Sequence, residues 1–311
     1  MTKLVHRSVV LAKTETTYNT DATPTAAANS ILCEKLSYKP TGLKMAKRSA
    51  IKATLGTLQQ INAGYLIDVS MDVEIKGSGT AGTAPELDAL LLACGMASTI
   101  SASTSVTYAP ASSSQKSATI YIYEDGSLYK ITGCRGTYKL TAKVGEVPMI
   151  SFTMTGHLGS VTDASLVTGT YVSTVPPALV NVPMTIGSSY NPIIETLELD
   201  IGNKVEMPPD IQAADAYGEV IIGDRDVKGK IDPEATLVST NDYWGQFKSG
   251  TTLALDTGVV GATAGNQWEL KAPKIYYENL GAGNRNSILT YSADFAATET
   301  NGDDEFSLIF T

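Results

Sequence analysis

Apolar and polar residues alternate through "YLIDVSMDVEIK", residues 65–76, with Leu66 the one exception. Tyr65, Ile67, Val69, Met71, Val73 and Ile75 share one side, and Asp68, Ser70, Asp72, Glu74 and Lys76 the other. A period of two is that of a strand, so the stretch predicts a long β-strand with one buried face and one wet, acidic face. "TIYIYEDGSLYKITG" predicts a hairpin about Asp125 and Gly126, a favoured two-residue turn, and "DEFSLIFT" a last strand.

Two segments break this period. In "TAPELDALLLACGM" Thr83 and Glu86 have capping-box spacing, Pro85 suits a first helical turn, and Leu87, Leu90, Leu91 and Cys94 form one apolar stripe. With Gly95 as a stop, a helix is expected over about 83–95. In "STNDYWGQFKSG" Ser239 and Asp242 repeat the capping spacing, Tyr243 and Phe247 lie four apart, and Gly250 closes a helix expected over about 239–249.

The flanks of the helices match as well. "YLIDVSMDVEIKG" aligns without a gap on "YGEVIIGDRDVKG", pairing Asp72 with Asp224, Glu74 with Asp226 and Lys76 with Lys228. Upstream, "ILCEKLSYKPTGLKM" parallels "IIETLELDIGNKVEM", and downstream "YKITGCRGTYKLTAKVGEVPMISFTMTG" parallels "ELKAPKIYYENLGAGNRNSILTYSADFAA". Strand, helix, long loop and hairpin recur in one order, as in a tandem duplication. The fold expected is mainly β: two tandem β-sandwich or barrel domains, 1–165 and 166–311, each with one flanking α-helix.

Between the first strands of the first half lies "SYKPTGLKMAKRSAIKATLGTLQQINAGY", basic and polar, which reads as an extended hairpin arm carrying Lys44, Lys47, Arg48 and Lys52. Its counterpart, "DIGNKVEMPPDIQAADAY", is shorter and acidic. Of the net charge of −9, residues 1–165 carry +3 and 166–311 carry −12. Arms of opposite charge suit contacts with other subunits. An acidic surface repels nucleic acid and excludes ordinary DNA or RNA binding, though not a protein past which DNA slides.

Catalytic chemistry finds little material. His6 and His157 are the only histidines, no serine sits in a nucleophile elbow, and phosphate-loop and dinucleotide fingerprints are absent. "DRDVKGKIDPEA" has a calcium-loop glycine, but Lys228 stands where an oxygen ligand is needed and Ala235 where the loop requires Glu. Cys33, Cys94 and Cys134 share no metal-ligand spacing and read as reduced, buried thiols. No enzyme, cofactor or metal is expected. No run approaches the ~18 apolar residues of a membrane helix, and the N-terminal apolar stretch is too short for a signal peptide.

The helix "APELDALLLACGM", after a strand ending "EIKGSG" and before a Ser/Thr loop and a hairpin, resembles the major tail tube proteins of long-tailed bacteriophages, above all the duplicated type of some siphophages. That resemblance implies a structural virion protein of the tail, made in the host cytoplasm. Trimeric rings with pseudo-sixfold symmetry would stack into a hollow tube through which DNA passes without specific binding. Its partners would be further copies of itself and the tail terminator, tape measure and distal tail proteins. Asp72, Glu74, Asp224 and Asp226 are then the candidate lumen-facing acids, and Lys44, Lys47, Arg48 and Lys52 the candidate inter-subunit arm. Two other readings are a tube protein of a contractile injection system and a secreted or virion-surface carbohydrate-binding β-protein, the latter using exposed aromatics such as Trp268 or Tyr276.

Overall fold

The computed structural model describes residues 3, 4, 6–187 and 189–311. In the first half the strands are β1 (Ser8–Thr14), β2 (Ser30–Ile31), β3 (Cys33–Ala46) and β4 (Ile61–Glu74), then helix α1 (Asp88–Ala93). β5 (Met96–Ser101), β6 (Ser105–Pro110), β7 (Ala118–Glu124), β8 (Ser127–Lys143) and β9 (Met149–Asp163) follow. The second half holds β10 (Thr185–Ile186), β11 (Thr196–Asp200), β12 (Asn203–Glu206), β13 (Ile221–Arg225), β14 (Lys228–Ile231) and helix α2 (Tyr243–Ser249). It ends with β15 (Leu253–Asp256), β16 (Trp268–Arg285), β17 (Ile288–Ala297) and β18 (Ser307–Phe310).

The protein is mainly β, with antiparallel strands and two short helices. Alternation in β4 does what its pattern predicts: Ile67, Val69, Met71 and Val73 are buried while Asp68, Ser70, Asp72 and Glu74 are not. Lys76, expected on the wet face, is buried instead, because the chain turns there and its ammonium meets Glu86 at 3.5 Å and the Val172 carbonyl at 3.1 Å. Asp125 and Gly126 form the predicted β7–β8 turn, both at positive φ.

Both helices are shorter than their sequence signals. α1 begins beyond the expected capping box: Leu87 is its N-cap, without a side-chain cap, and Glu86 instead accepts from the Val172 N–H of the segment joining the halves. α2 is capped not by Ser239 but by Asp242, whose carboxylate accepts from Gly245 N at 2.8 Å. The stops hold: Gly95 has φ +74°, and Gly250 is a left-handed C-cap.

Eight strands form one front sheet in the order β3-β4-β9-β8-β11-β14-β17-β16, drawing four from each half. Each quartet is two hairpins, and each hairpin of the second pair carries an inward Tyr–Phe cross-strand couple, Tyr138 with Phe152 and Tyr277 with Phe295. Both tyrosine hydroxyls are buried without a protein partner. Beside Phe152 lies Met71, and beside Phe295 lies Gly229, where a Cβ would stand 2.2 Å from the ring.

The halves also interleave behind the front sheet. β18, at the C-terminus, pairs with both β16 and β6, setting Leu308 beside Leu270 and Tyr108. One hydrophobic cluster accordingly runs from Val10 to Phe310 and takes in α1 and Tyr243 of α2.

Capping supplies a direct test of the helix boundary. Asp242→Ala is expected to lower unfolding free energy by about 1 kcal/mol, and Ser239→Ala to leave it unchanged. Urea denaturation of the two variants distinguishes the caps.

Candidate functional site

The front sheet shows solvent a polar face. β4 contributes Asp68, Asp72 and Glu74, β11 Glu198 and Asp200, and β17 Asp294, while β8 contributes Lys139 and Lys143 and β14 Lys228 and Lys230. Lys35 meets Asp72 at 2.7 Å, Lys139 meets Glu198 at 2.7 Å, and Lys228 meets Asp226 at 3.1 Å and Glu278 at 3.2 Å. Thr155 donates to Asp68 at 2.7 Å, and Asn279 to Asp294 at 2.9 Å. Acids outnumber lysines, but few stand alone.

Of the four acids singled out in the sequence, Asp72 and Glu74 share the exposed side of β4, separate from Asp224 and Asp226. Asp224 lies on β13, in a two-stranded sheet with β12, and Asp226 lies between β13 and β14. The chain leaves the front sheet at Gly202, where φ is +60°, and Asn203 is anchored by its amide to the carbonyls of Cys94 and Gly136. Matched through Phe152 and Phe295, the counterpart of Val73 is Ile231, not Arg225. The gapless sequence alignment is therefore displaced by six residues from the spatial one.

The basic arm is the β3–β4 hairpin with its tip at 47–60. Lys44 is held within the chain: its ammonium donates to the Ala216 carbonyl at 2.7 Å and sits 3.8 Å above the Tyr217 ring. Tyr217 donates in turn to the Gly42 carbonyl. Gly64, at φ +148°, lets the backbone of 215–216 approach so closely that a Cβ would lie 1.9 Å from the Asp215 carbonyl oxygen. The acidic counterpart arm thus folds back on the root of the basic one. His157 secures that contact, with Nδ1 2.5 Å from Asp215 and Nε2 3.0 Å from the Tyr18 hydroxyl. Lys47, Arg48 and Lys52 at the tip are exposed.

Among the described residues, two edges of the front sheet carry no neighbour. β3 pairs only with β4. β16 pairs with β15 only through its first part, leaving one side of 276–285 open, whereas β8 uses the same stretch, Lys139–Lys143, to pair with β11. In the β16–β17 turn Asn286 and Ser287 have φ of 51° and 69°, the signature of a type I′ turn flanked by a hydrogen-bonded pair. Counting back by alternation, Ala282 directs its N–H and C=O away from β17 and into the open side.

Other chemistry is sparse. Among the described residues no three His, Cys, Asp or Glu side chains cluster as a metal site would need, and no helix is long and apolar enough to cross a membrane. Burial pushes the Cys33 thiol up to about 11, with the Asp72 charge adding to it, and Cys94 and Cys134 are buried. Trp268 is fully buried, which removes one of the two aromatics on which a carbohydrate platform would rest.

A family model described as phage tail tube protein matches residues 6–298, nearly the whole chain. The chain belongs to the phage tail tube protein family. No curated protein matches it. Membership assigns a structural role in the tail tube and a place in the virion tail. The pairing of β8 with β11 within the chain is one feature that the sequence did not reveal. Lys139, Thr141 and Lys143, and Glu198 and Asp200, do alternate, but nothing in the sequence says that these two strands pair with each other.

The Lys35–Asp72 contact can be read by titration. Partial burial pushes the Asp72 carboxyl up, but hydrogen bonds from Lys35 and Ser151 and the Lys35 charge outweigh it, so the net shift is downward. The folded value being the lower one, the contribution to stability is full above the unfolded value of ~3.9 and is lost as pH falls through the folded value. Lys35→Met should move the Asp72 midpoint up, as followed by carboxyl NMR. An unmoved midpoint would show the lysine to be a spectator.

Proposed function

We propose that this tail tube protein is a tandem duplication, with tail-tube domains at 1–165 and 166–311, and that three copies close into a ring of pseudo-sixfold symmetry. The observation that carries the reading is the junction between the halves. β8, last in the first quartet, pairs antiparallel with β11, first in the second, setting Leu140 opposite Leu199. β16 and β3 are the corresponding strands, and their corresponding edges are open. A copy of the same junction between chains sets Leu280 of one copy opposite Leu36 of the next. Each edge then finds a partner, which removes the aggregation hazard of an unpaired strand.

Eight front strands from each of three copies, spaced ~4.8 Å and tilted as in other barrels, enclose a backbone ring roughly 45–50 Å across and a bore on the order of 35–40 Å. That is wider than a DNA duplex. The front face, with Asp72 and Glu74, lines this bore. Its excess of acids repels the phosphate backbone near the wall within a Debye length of ~8 Å, and its lysines keep the field weak at the centre. DNA slides through such a channel without a site at which to stop. Stacked rings form the tube, and its ends meet terminator, tape measure and distal tail components.

Ala282→Pro tests the closure. Proline removes the N–H aimed at the open side while sparing the ladder to β17, so the variant should stay folded by circular dichroism yet run as a monomer in light scattering, where the native chain runs as a trimer. Trimers of Ala282→Pro would overturn the edge-to-edge ring.

A further inference from the structure

The contacts between the two halves are of a kind that halves of different copies make equally well. Lys139–Lys143 of β8 pairs with Thr196–Asp200 of β11, and β6 pairs with β18. Arg135 meets Glu219 at 2.7 Å, and the Gly77 N–H donates to the Asn266 side chain at 2.9 Å. None of these contacts depends on which copy supplies the second half. Only the segment between β9 and β10, residues 164–184, ties a first half to one particular second half.

That segment is not a loose tether. Ala164, Leu166 and Val167 pack against Val9, Leu11, Tyr121 and Leu128 of β1, β7 and β8. The Thr170 N–H donates to the Ala26 carbonyl at 2.9 Å, and the Thr174 hydroxyl to the Gly77 carbonyl at 2.8 Å. Leu179 accepts from the Gly145 N–H at 3.1 Å and donates to the Glu146 carbonyl at 3.0 Å. Between these holds Val172 is gripped at both backbone groups: its N–H donates to Glu86, and its carbonyl accepts from Lys76 at 3.1 Å. All of these partners belong to the first half. Asn266 of the second half adds a bond to the Val175 carbonyl at 2.7 Å.

From these contacts we infer that residues 164–179 are a strap laid down on the first half and clamped by Lys76 and Glu86. The strap makes a chain pair with its own second half and not exchange it with another copy. This holds whether or not rings close, because the β8–β11 ladder lies within one chain. Reach supplies the physical reason. Unbound, about 20 residues at ~3.4 Å each let the second half move roughly 70 Å away. Bound as far as Leu179, the chain has about five residues free before Thr185, or ~17 Å. A tether about four times shorter raises the effective concentration of the chain's own second half roughly eightfold, by the −3/2 power of length. The clamp suits that role. Lys76 and Glu86 are 4% and 6% exposed, and Glu86 Oε2 is buried without a hydrogen bond, 3.5 Å from the ammonium. Taking two charges out of water for one imperfect contact adds little stability, but separating them leaves a buried charge unpaired, so the pair specifies a position.

Cross-linking reads the pairing. Thr141→Cys and Glu198→Cys stand directly opposite across β8 and β11, and in a Cys33→Ser background mild oxidation after refolding joins them. On a denaturing, non-reducing gel the link is expected within single chains. Two changes should raise linked dimers roughly eightfold. One is Lys76→Met with Glu86→Leu and Leu179→Ala, which releases the strap and leaves no buried charge behind. The other is an insertion of about fifteen Gly/Ser residues between Val180 and Asn181, both exposed, which lengthens the free tether without touching a packed side chain. It decides the matter where circular dichroism shows the triple variant unfolded. Dimers predominating in the parent, or an unchanged proportion after insertion, would overturn the strap. A rise on insertion but none in a folded triple variant would overturn the role of Lys76 and Glu86. Ring closure does not enter the readout, since denatured chains are scored only by their covalent links.

Discussion

The backbone ladder between β8 and β11 is the contact on which the rest depends. Five residue pairs from Thr196 and Lys143 to Asp200 and Lys139 join the two halves, and through them eight strands become one surface. Strand pairing of this kind is directional and leaves both outer edges with hydrogen bonds to make. The side-chain core reinforces it, because β18 carries Leu308 and Phe310 across to β6 and makes the cluster common to both halves.

Polar groups are distributed in keeping with that construction. Inside, each quartet repeats a tyrosine over a phenylalanine and fills the space beside it differently, with Met71 in one case and with the bare backbone of Gly229 in the other. Outside, lysines sit beside carboxylates, as Lys139 does with Glu198 and Lys228 with Glu278. Exposed pairs of this kind add little to stability. Their effect is on the surface potential, which they hold moderately negative across a broad area.

The arms of the two halves are held differently. In the first half 47–60 stays almost wholly exposed; in the second, 207–220 turns back and is tied down by Tyr217, Asp215 and His157. His157 is the one histidine drawn into the structure, and its role is to hold the two arms together through Asp215 and Tyr18.

Local pattern was enough for much of this. The alternation of Tyr65 to Ile75, the Asp125–Gly126 turn, the stripe of Leu87, Leu90, Leu91 and Cys94, and the glycine stops at Gly95 and Gly250 are properties of residues near in sequence, and they were legible there together with the family's features. What the sequence left open depends on contacts between residues far apart. Lys76 is buried because Glu86 and Val172 come to it, Glu86 gives up its cap for the same reason, and Lys44 is held by Ala216 and Tyr217, more than 170 positions away. The matched acids Asp72 and Asp224 separate because Gly202 and Asn203 turn one hairpin out of the sheet, and a strand shifted by six residues keeps its alternation and hides the shift from any reading by period. Which strand lies beside which, and therefore which edges stay open, was decided only by the tertiary fold, since hydrogen bonds between backbones carry no mark of residue type.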